Sequence, residues 1–334
     1  MIMILIYHSR LRHHMHLLSN PVNTARRRCA LAAALAAAGA LLALSALPAL
    51  AQSKVDIKHA SGTTAVVPNP KKVVVLDLTS LDTMAALGID VTGVPESPMP
   101  KHLARFSDKK YARVGTLFEP DFEAIHAAAP DLIVVGGRSQ AKYKELAKIA
   151  PTIDMTVDRT DLIKSVERNT NLLAGLFGKQ AQAKVQLDKL HASIAGLKAK
   201  ASTAGSALIV LTTGGKMSAY GPGSRFGVLH DAFGFKPAVA TLQTSNHGQA
   251  VSFEFIQKTN PDWLFVIDRD GAIGRQGASA QRLLDNELVR QTKAWQNKRV
   301  VYLDGGNWYT LGGAGLSAIQ QNIDQLAQAL DAKR

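Results

Sequence analysis

Short apolar runs alternate with amphipathic stretches over most of this 334-residue chain, the pattern of α/β units. Residues 73–76, Val-Val-Val-Leu, read as a buried strand, and a helix over about 81–87 follows it and stops at Gly88. A strand over 91–94, a helix over 122–128 and a strand over 132–135 continue the alternation. From about residue 161 to 200 the pattern is helical only. Leu187, Leu190, Ile194 and Leu197 fall on one apolar face, and a helix over 179–200 would be about 33 Å long. Strands resume at 207–211, 264–267 and 300–303, and a last helix spans about 317–332. The expected fold is α/β, with two lobes and a ligand cleft between them. The N-terminal lobe covers 52–158, a long helical connector 159–203 and the C-terminal lobe 204–334.

An internal repeat supports this division. Phe122-Glu123-Ala124-Ile125, Pro130-Asp131, Val135 and Arg138 recur as Phe253-Glu254-Phe255-Ile256, Pro261-Asp262, Val266 and Arg269, at a constant offset of 131 and without a gap. Each copy reads as helix, Pro-Asp turn, buried strand, then an arginine just past the strand's carboxyl end. Ligands of open α/β sheets bind at that end. Two such lobes facing each other would bring Arg138 and Arg269 to one cleft.

The first 51 residues follow a different pattern. Arg26, Arg27 and Arg28 precede an uncharged Ala/Leu-rich run over 29–51 that ends Ala49-Leu50-Ala51, a small-x-small cleavage pattern. A retained membrane anchor is the rival reading of so long a run. Its alanine richness and cleavage pattern favour a signal peptide cut after Ala51, which would place the mature protein in a periplasm-like space. Residues 1–21 are unusual for an export signal and suggest a true start nearer Val22, and the paired arginines hint at twin-arginine export. Cleavage would remove five arginines and no acid, lowering the net charge from +13 to +8, together with the single cysteine, Cys29. A thiol-free mature chain has neither disulfides nor cysteine-ligated metals. The positive charge is not gathered into aromatic-interleaved runs, so nucleic acid is not an expected partner. It would still help gather an anionic ligand.

Among candidate functional residues, Arg138 follows Gly136-Gly137, which let a ligand approach the backbone closely. Alone it reads more readily as a solvated surface charge; its recurrence at Arg269 argues against that. Arg225 sits in Gly221-Pro222-Gly223-Ser224-Arg225, ahead of an expected helix over 226–233 whose start would favour anions. His247 lies in a polar loop before a helix that Ser252 would cap. Tyr309 follows Trp308 past the end of the strand over 300–303, again the ligand-facing end of a sheet; an interface aromatic pair is the alternative. Gly313-Ala314-Gly315-Leu316-Ser317-Ala318 matches a dinucleotide fingerprint, but the chain left after it is too short for such a site. No nucleophile elbow, Walker loop or His-Glu-x-x-His motif occurs, and no nucleophile with a base stands out, so an enzyme such as a periplasmic hydrolase is not the expected class.

At this point the sequence resembles a known family. The export signal, two α/β lobes, connector and F-E-x-I…P-D units resemble the class III periplasmic substrate-binding proteins of ABC-type importers, over essentially all of residues 54–332. Gly137-Arg138-Ser139, Gly221-Pro222-Gly223-Ser224-Arg225-Phe226-Gly227, Asn246-His247-Gly248, Val266-Ile267-Asp268-Arg269 and Trp308-Tyr309 resemble the ferric catecholate-siderophore branch. The resemblance implies a periplasmic monomer that captures a ferric siderophore for iron transport and delivers it to an ABC transporter permease in the inner membrane. Arg138, Arg225 and Arg269 would surround the anionic complex, and His247 and Tyr309 would bind its iron. Glu123 and Glu254, one per lobe, would dock the permease. No intrinsic cofactor is implied; Fe(III) arrives as the siderophore complex. Haem and cobalamin, carried by the same importer class, are the alternative ligands, since haem iron also accepts Tyr or His.

Overall fold

The computed structural model describes residues 53–277 and 279–332. The expected export segment lies outside the described residues. A hairpin of β1 (Val55–His59) and β2 (Gly62–Val66) precedes the first sheet. That sheet contains β3 (Val73–Val75), β4 (Gly93–Val94), β5 (Ala112–Arg113), β6 (Leu132–Val135) and β7 (Thr152–Asp154), ordered β5-β4-β3-β6-β7 with every pair parallel. β3 and β6 are buried throughout, which is why they read as unbroken apolar runs.

The second sheet contains β8 (Ser206–Thr213), β9 (Lys216–Tyr220), β10 (Lys236–Pro237), β11 (Gln249–Val251), β12 (Trp263–Asp268) and β13 (Val300–Leu303). Its order is β11-β9-β8-β12-β13, with β10 also on β8. β8, β10, β12 and β13 run parallel, while β9 pairs antiparallel with β8 and β11 antiparallel with β9.

Two features adjust the expected boundaries. Helix α1 (Leu78–Ala86) begins three residues earlier than the apolar pattern indicates, because the Asp77 carboxylate accepts from the Ser80 amide at 2.8 Å and caps it. The strand expected over 91–94 shortens to Gly93–Val94.

Helix α2 (Phe122–Ala128) starts the first copy of the repeat. Helices α3 (Leu162–Phe177) and α4 (Gln180–Ala201) link the two sheets, separated by Gly178 at φ 66°, the left-handed cap that ends α3. Helix α5 (Phe253–Thr259) starts the second copy, and α6 (Leu316–Asp331) ends the described chain. The apolar face of α4 buries Leu187, Leu190 and Leu197 against α6, in a core that also contains Val73 and Ile209 of the two sheets.

The repeat is structural as well as sequential. α2 and α5 end on Ala129 and Asn260, both left-handed, at φ 45° and 47°. The following aspartates brace the neighbouring strand: Asp131 Oδ2 accepts from the Lys71 and Lys72 amides, both at 2.9 Å, before β3. Asp262 Oδ2 accepts from the Ser206 amide at 2.8 Å and its hydroxyl at 2.9 Å, at the start of β8.

One seam joins the lobes through polar groups. Asp82 of α1, fully buried, accepts from the Ser317 and Ala318 amides at 2.8 and 3.2 Å and caps α6; His102 Nε2 lies 2.6 Å from its other oxygen. Gly315 is required there, since a Cβ would stand 2.2 Å from Asp82 Oδ2. The glycine-rich stretch before α6 thus serves a helix start, not a dinucleotide.

Candidate functional site

The carboxyl ends of the two sheets supply the site. β6 leads into Gly136-Gly137-Arg138, a turn in which the Gly136 amide donates to Ser139 Oγ at 3.1 Å and the Gly137 amide to Thr156 Oγ1 at 3.0 Å. Gly136 packs on Asp77, where a Cβ would stand 2.9 Å from the carboxyl carbon, and Gly137 is at φ 51°. β12 ends at Asp268, whose side chain caps a short helical turn, Arg269–Ala272.

Arg225 follows a tight turn in which Ser224 Oγ donates to the Gly221 carbonyl at 2.5 Å. The helix expected over 226–233 is only Val228–Asp231, a single turn, and Arg225 stands before it in the loop. Its position therefore comes from the turn, not from a helix start. The reason is that Gly234, at φ 84°, and the turns at 224–227 leave too few consecutive helical residues.

Tyr309 lies on a π-helical turn, Gly306–Thr310, after β13. Trp308 points inward, fully buried with its ring edge-on to Phe226 at 6.5 Å, so its neighbour Tyr309 faces the cleft.

The three repeat and loop arginines converge on this tyrosine. Arg269 Nε donates to the Tyr309 hydroxyl at 2.7 Å and Nη1 donates to Thr213 Oγ1 at 3.0 Å. Arg225 Nη2 donates to the Tyr309 carbonyl at 2.7 Å. Arg138, from the other lobe, donates to the carbonyls of Thr310 and Tyr309 at 3.0 and 3.2 Å. The guanidinium carbons of Arg225, Arg269 and Arg138 stand 4.6, 5.4 and 5.9 Å from the Tyr309 ring centre. Burial pushes the Tyr309 phenol up, but the Arg269 hydrogen bond and the charges of Arg269, Arg225 and Arg138 outweigh it, leaving the phenol below its usual value.

Among the described residues, Arg138 and Arg225 have no carboxylate within 4.0 Å, and Arg269 has only Asp270 at 3.6 Å. Burial and the like charge of Arg138 lower the Arg225 guanidinium from its ordinary value. The cluster is thus a concentration of positive charge held by neutral carbonyls, one hydroxyl and one phenol, with Asp270 beside Arg269, an arrangement that favours an incoming anion with several oxygens.

Arg138, Arg225 and Tyr309 line a cavity of about 700 Å³ with Asp77, Phe118, Arg159, Asn246 and His247, whereas Arg269 is not part of its lining and reaches it through the Tyr309 hydroxyl. His247 sits exposed on its loop. Ser252 Oγ accepts from the Phe255 amide and caps α5, as its position before the helix predicts. Glu123 and Glu254 are exposed on the first turns of α2 and α5, away from the cavity lining. A hydrogen bond from Ser252 lowers the Glu254 carboxyl from its usual value. Two histidines on helices have other partners: His191 pairs with Glu167 at 2.6 Å and His230 faces the Phe235 carbonyl at 3.0 Å.

Sequence reasoning misses Arg159 and Phe118. Arg159 follows β7, and an arginine past the carboxyl end of a parallel strand is the signal that singles out Arg138. β7 is only Thr-Ile-Asp, too short for its apolar pattern to declare a strand. Phe118 is 61% exposed on the cavity wall, and nothing in its sequence surroundings marks it.

Comparison with known proteins agrees with this geometry. The family model described as "Periplasmic binding protein" matches residues 73–305. The petrobactin-binding protein YclQ of Bacillus subtilis is 42% identical over 285 residues, covering 84% of this chain and 89% of the relative. Its crystal structure superposes with a TM-score of 0.80 over 83% of this chain and 99% of that one. The ferric-anguibactin-binding protein FatB of Vibrio anguillarum is 30% identical, covering 82% and 87%. The periplasmic catecholate-siderophore binding protein VctP of Vibrio cholerae is 32% identical, with a TM-score of 0.78 over 82% and 99%. The matched length and the shared fold of these neighbours agree: this chain belongs to the periplasmic binding protein family.

Proposed function

We propose that this protein captures a ferric siderophore of catecholate type in the cleft between its lobes and delivers it to the permease of an ABC importer. The observation that carries the reading is the convergence of Arg138, Arg225 and Arg269 on Tyr309 with little acidic compensation. Ferric iron is hard and prefers oxygen donors, and its catecholate complexes are anions whose oxygens match guanidinium forks. A complex with two catecholates leaves two of six iron positions open. The Tyr309 phenolate and the His247 imidazole fill them, and the depressed phenol lowers the proton cost of binding iron. The relatives support this substrate class, since YclQ is named for petrobactin and VctP for catecholate siderophores.

In this reading the protein carries iron and does no chemistry on the ligand. It works in the periplasm as a monomer after cleavage behind Ala51, with lobes over 52–158 and 204–334 about the connector 159–203. Glu123 and Glu254 meet the permease.

The test is a titration of the purified protein with ferric bis- and tris-catecholates, haem and cobalamin, followed by quenching of tryptophan fluorescence. Micromolar or tighter binding of the ferric catecholates is expected, and haem as the sole ligand would overturn the reading. Tyr309→Phe and His247→Ala should each weaken the bis-catecholate about ten- to hundredfold and shift its visible charge-transfer band, leaving the tris-catecholate nearly unchanged. Equal losses for both ligands would assign these residues to packing.

A further inference from the structure

The cleft contains a charged residue to which that reading gives no role. Arg159 stands at the end of Met155-Thr156-Val157-Asp158-Arg159, past the carboxyl end of β7, and lines the same cavity as Arg138, Arg225 and His247. Its side chain crosses to the other lobe, where Nη1 donates to Asn246 Oδ1. Asn246 immediately precedes His247.

The loop bearing His247 is otherwise fixed from within the C-terminal lobe. The His247 amide donates to Ser245 Oγ at 3.2 Å, and that hydroxyl donates to the Gly248 carbonyl at 2.8 Å. Gly248, at φ 69°, presses on β9 so closely that a Cβ would stand 2.8 Å from the Tyr220 ring. These contacts tighten the turn and anchor its base. Among the described residues, the hydrogen bond that ties the loop to the opposite lobe is the one from Arg159.

Arg159 has little else to hold. Among the described residues no carboxylate comes within 4.0 Å of it, and its neighbour Asp158 is turned to Thr160, accepting from that residue's amide and hydroxyl at 2.9 and 2.7 Å. Burial, and then the like charge of Arg138, lower the Arg159 guanidinium from its ordinary value, so it belongs to the same cationic cluster.

We propose that Arg159 is a positioning residue: through Asn246 it holds the His247 loop across the cleft, keeping the imidazole at the cavity wall where it meets the ligand. The inference rests on the reading of the cleft as a ferric-siderophore site. It also makes a distinction between ligands. A bis-catecholate needs the imidazole on iron, so it depends on Arg159 and Asn246; a tris-catecholate, with iron saturated by its own oxygens, does not. A direct anion-binding role for Arg159 would act on both, and more on the more highly charged tris-catecholate.

The experiment compares Arg159→Gln, Asn246→Ala and the double variant by fluorescence quenching with one bis- and one tris-catecholate ferric complex, together with the visible spectrum of each bound form. Each single variant should weaken the bis-catecholate about tenfold or more, the worth of a charge-assisted hydrogen bond. The charge-transfer band should move as it does in His247→Ala. The double variant should be no weaker than the weaker single one, and Arg159→Lys, which keeps a donor, should recover part of the loss. Asn246→Ala should leave tris-catecholate affinity within about twofold, which also reports that it is folded, and Arg159→Gln, which also removes a cleft charge, should lose clearly more on the bis- than on the tris-catecholate. Equal weakening of both complexes by Arg159→Gln with Asn246→Ala silent, additive losses in the double variant, or no change in any of them would each overturn the inference. Failure of the unaltered protein to bind either complex would instead remove the site reading beneath it.

Discussion

In the first sheet all five strands run parallel, whereas the second sets β9 antiparallel beside β8 and β11 antiparallel beside β9. Both lobes contain the same unit of helix, left-handed cap, bracing aspartate, buried strand and terminal arginine. The added strands change what surrounds that arginine. The segment between β8 and β12 brings Arg225 and the His247 loop, and the turn after β13 brings Tyr309. The N-terminal lobe contributes Arg138 and Arg159 across from them. The shared unit fixes how strands and helices pack, and the loops at the carboxyl ends carry the ligand chemistry. That division follows from backbone hydrogen bonding: strand interiors are saturated by their neighbours, and only the ends are open to a ligand.

The comparison is broken most severely by removing what the two units share on the surface. Replacing Glu123 and Glu254 together by Arg should abolish siderophore uptake through the importer in cells, with binding in solution unchanged. Charges at a docking surface steer orientation and encounter more than they hold the ligand. Normal uptake by the double variant would rule out docking and leave these glutamates only the favourable place of an acidic side chain at a helix N-terminus.

A smaller but still large effect is expected at the seam. Asp82→Ala removes a fully buried acceptor for two amides of α6 and the partner of the half-buried His102, and should lower the unfolding free energy by about 3 kcal/mol. Urea unfolding measures this. A loss under about 1 kcal/mol would mean that the α6 amides find other acceptors and that the seam does not join the lobes.

The smallest effect separates the two copies of the repeat. Asp131→Ala and Asp262→Ala should each cost about 1 kcal/mol, because each aspartate accepts two hydrogen bonds from the strand beside it. The Asp262 carboxyl is held below its usual value, first by the Ser206 amide. Its contribution is therefore present above the unfolded aspartate value of about 3.9 and lost as pH falls through the lower folded value. Asp262→Asn should flatten the acid limb of a stability–pH series in that window. An unchanged limb would show that Asp262 binds protons equally in both states.

Local chemistry made much of this protein legible in its sequence. The apolar runs of β6 and β13, the helix periodicity of α4 and the capping serine before α5 are set by residues near one another in the chain. The repeat announced that Arg138 and Arg269 occupy equivalent places, and the family resemblance pointed to Arg225, His247, Tyr309, Glu123 and Glu254. What the sequence could not carry were interactions between distant segments. Asp82 caps a helix 235 residues away, Arg159 reaches a loop 87 residues away, and the Tyr309 phenol is depressed by three arginines from three separate turns. Periodicity and capping report on neighbours along the chain; which lobe faces which, and which charges meet in the cleft, was decided only when the two sheets packed about one helical connector.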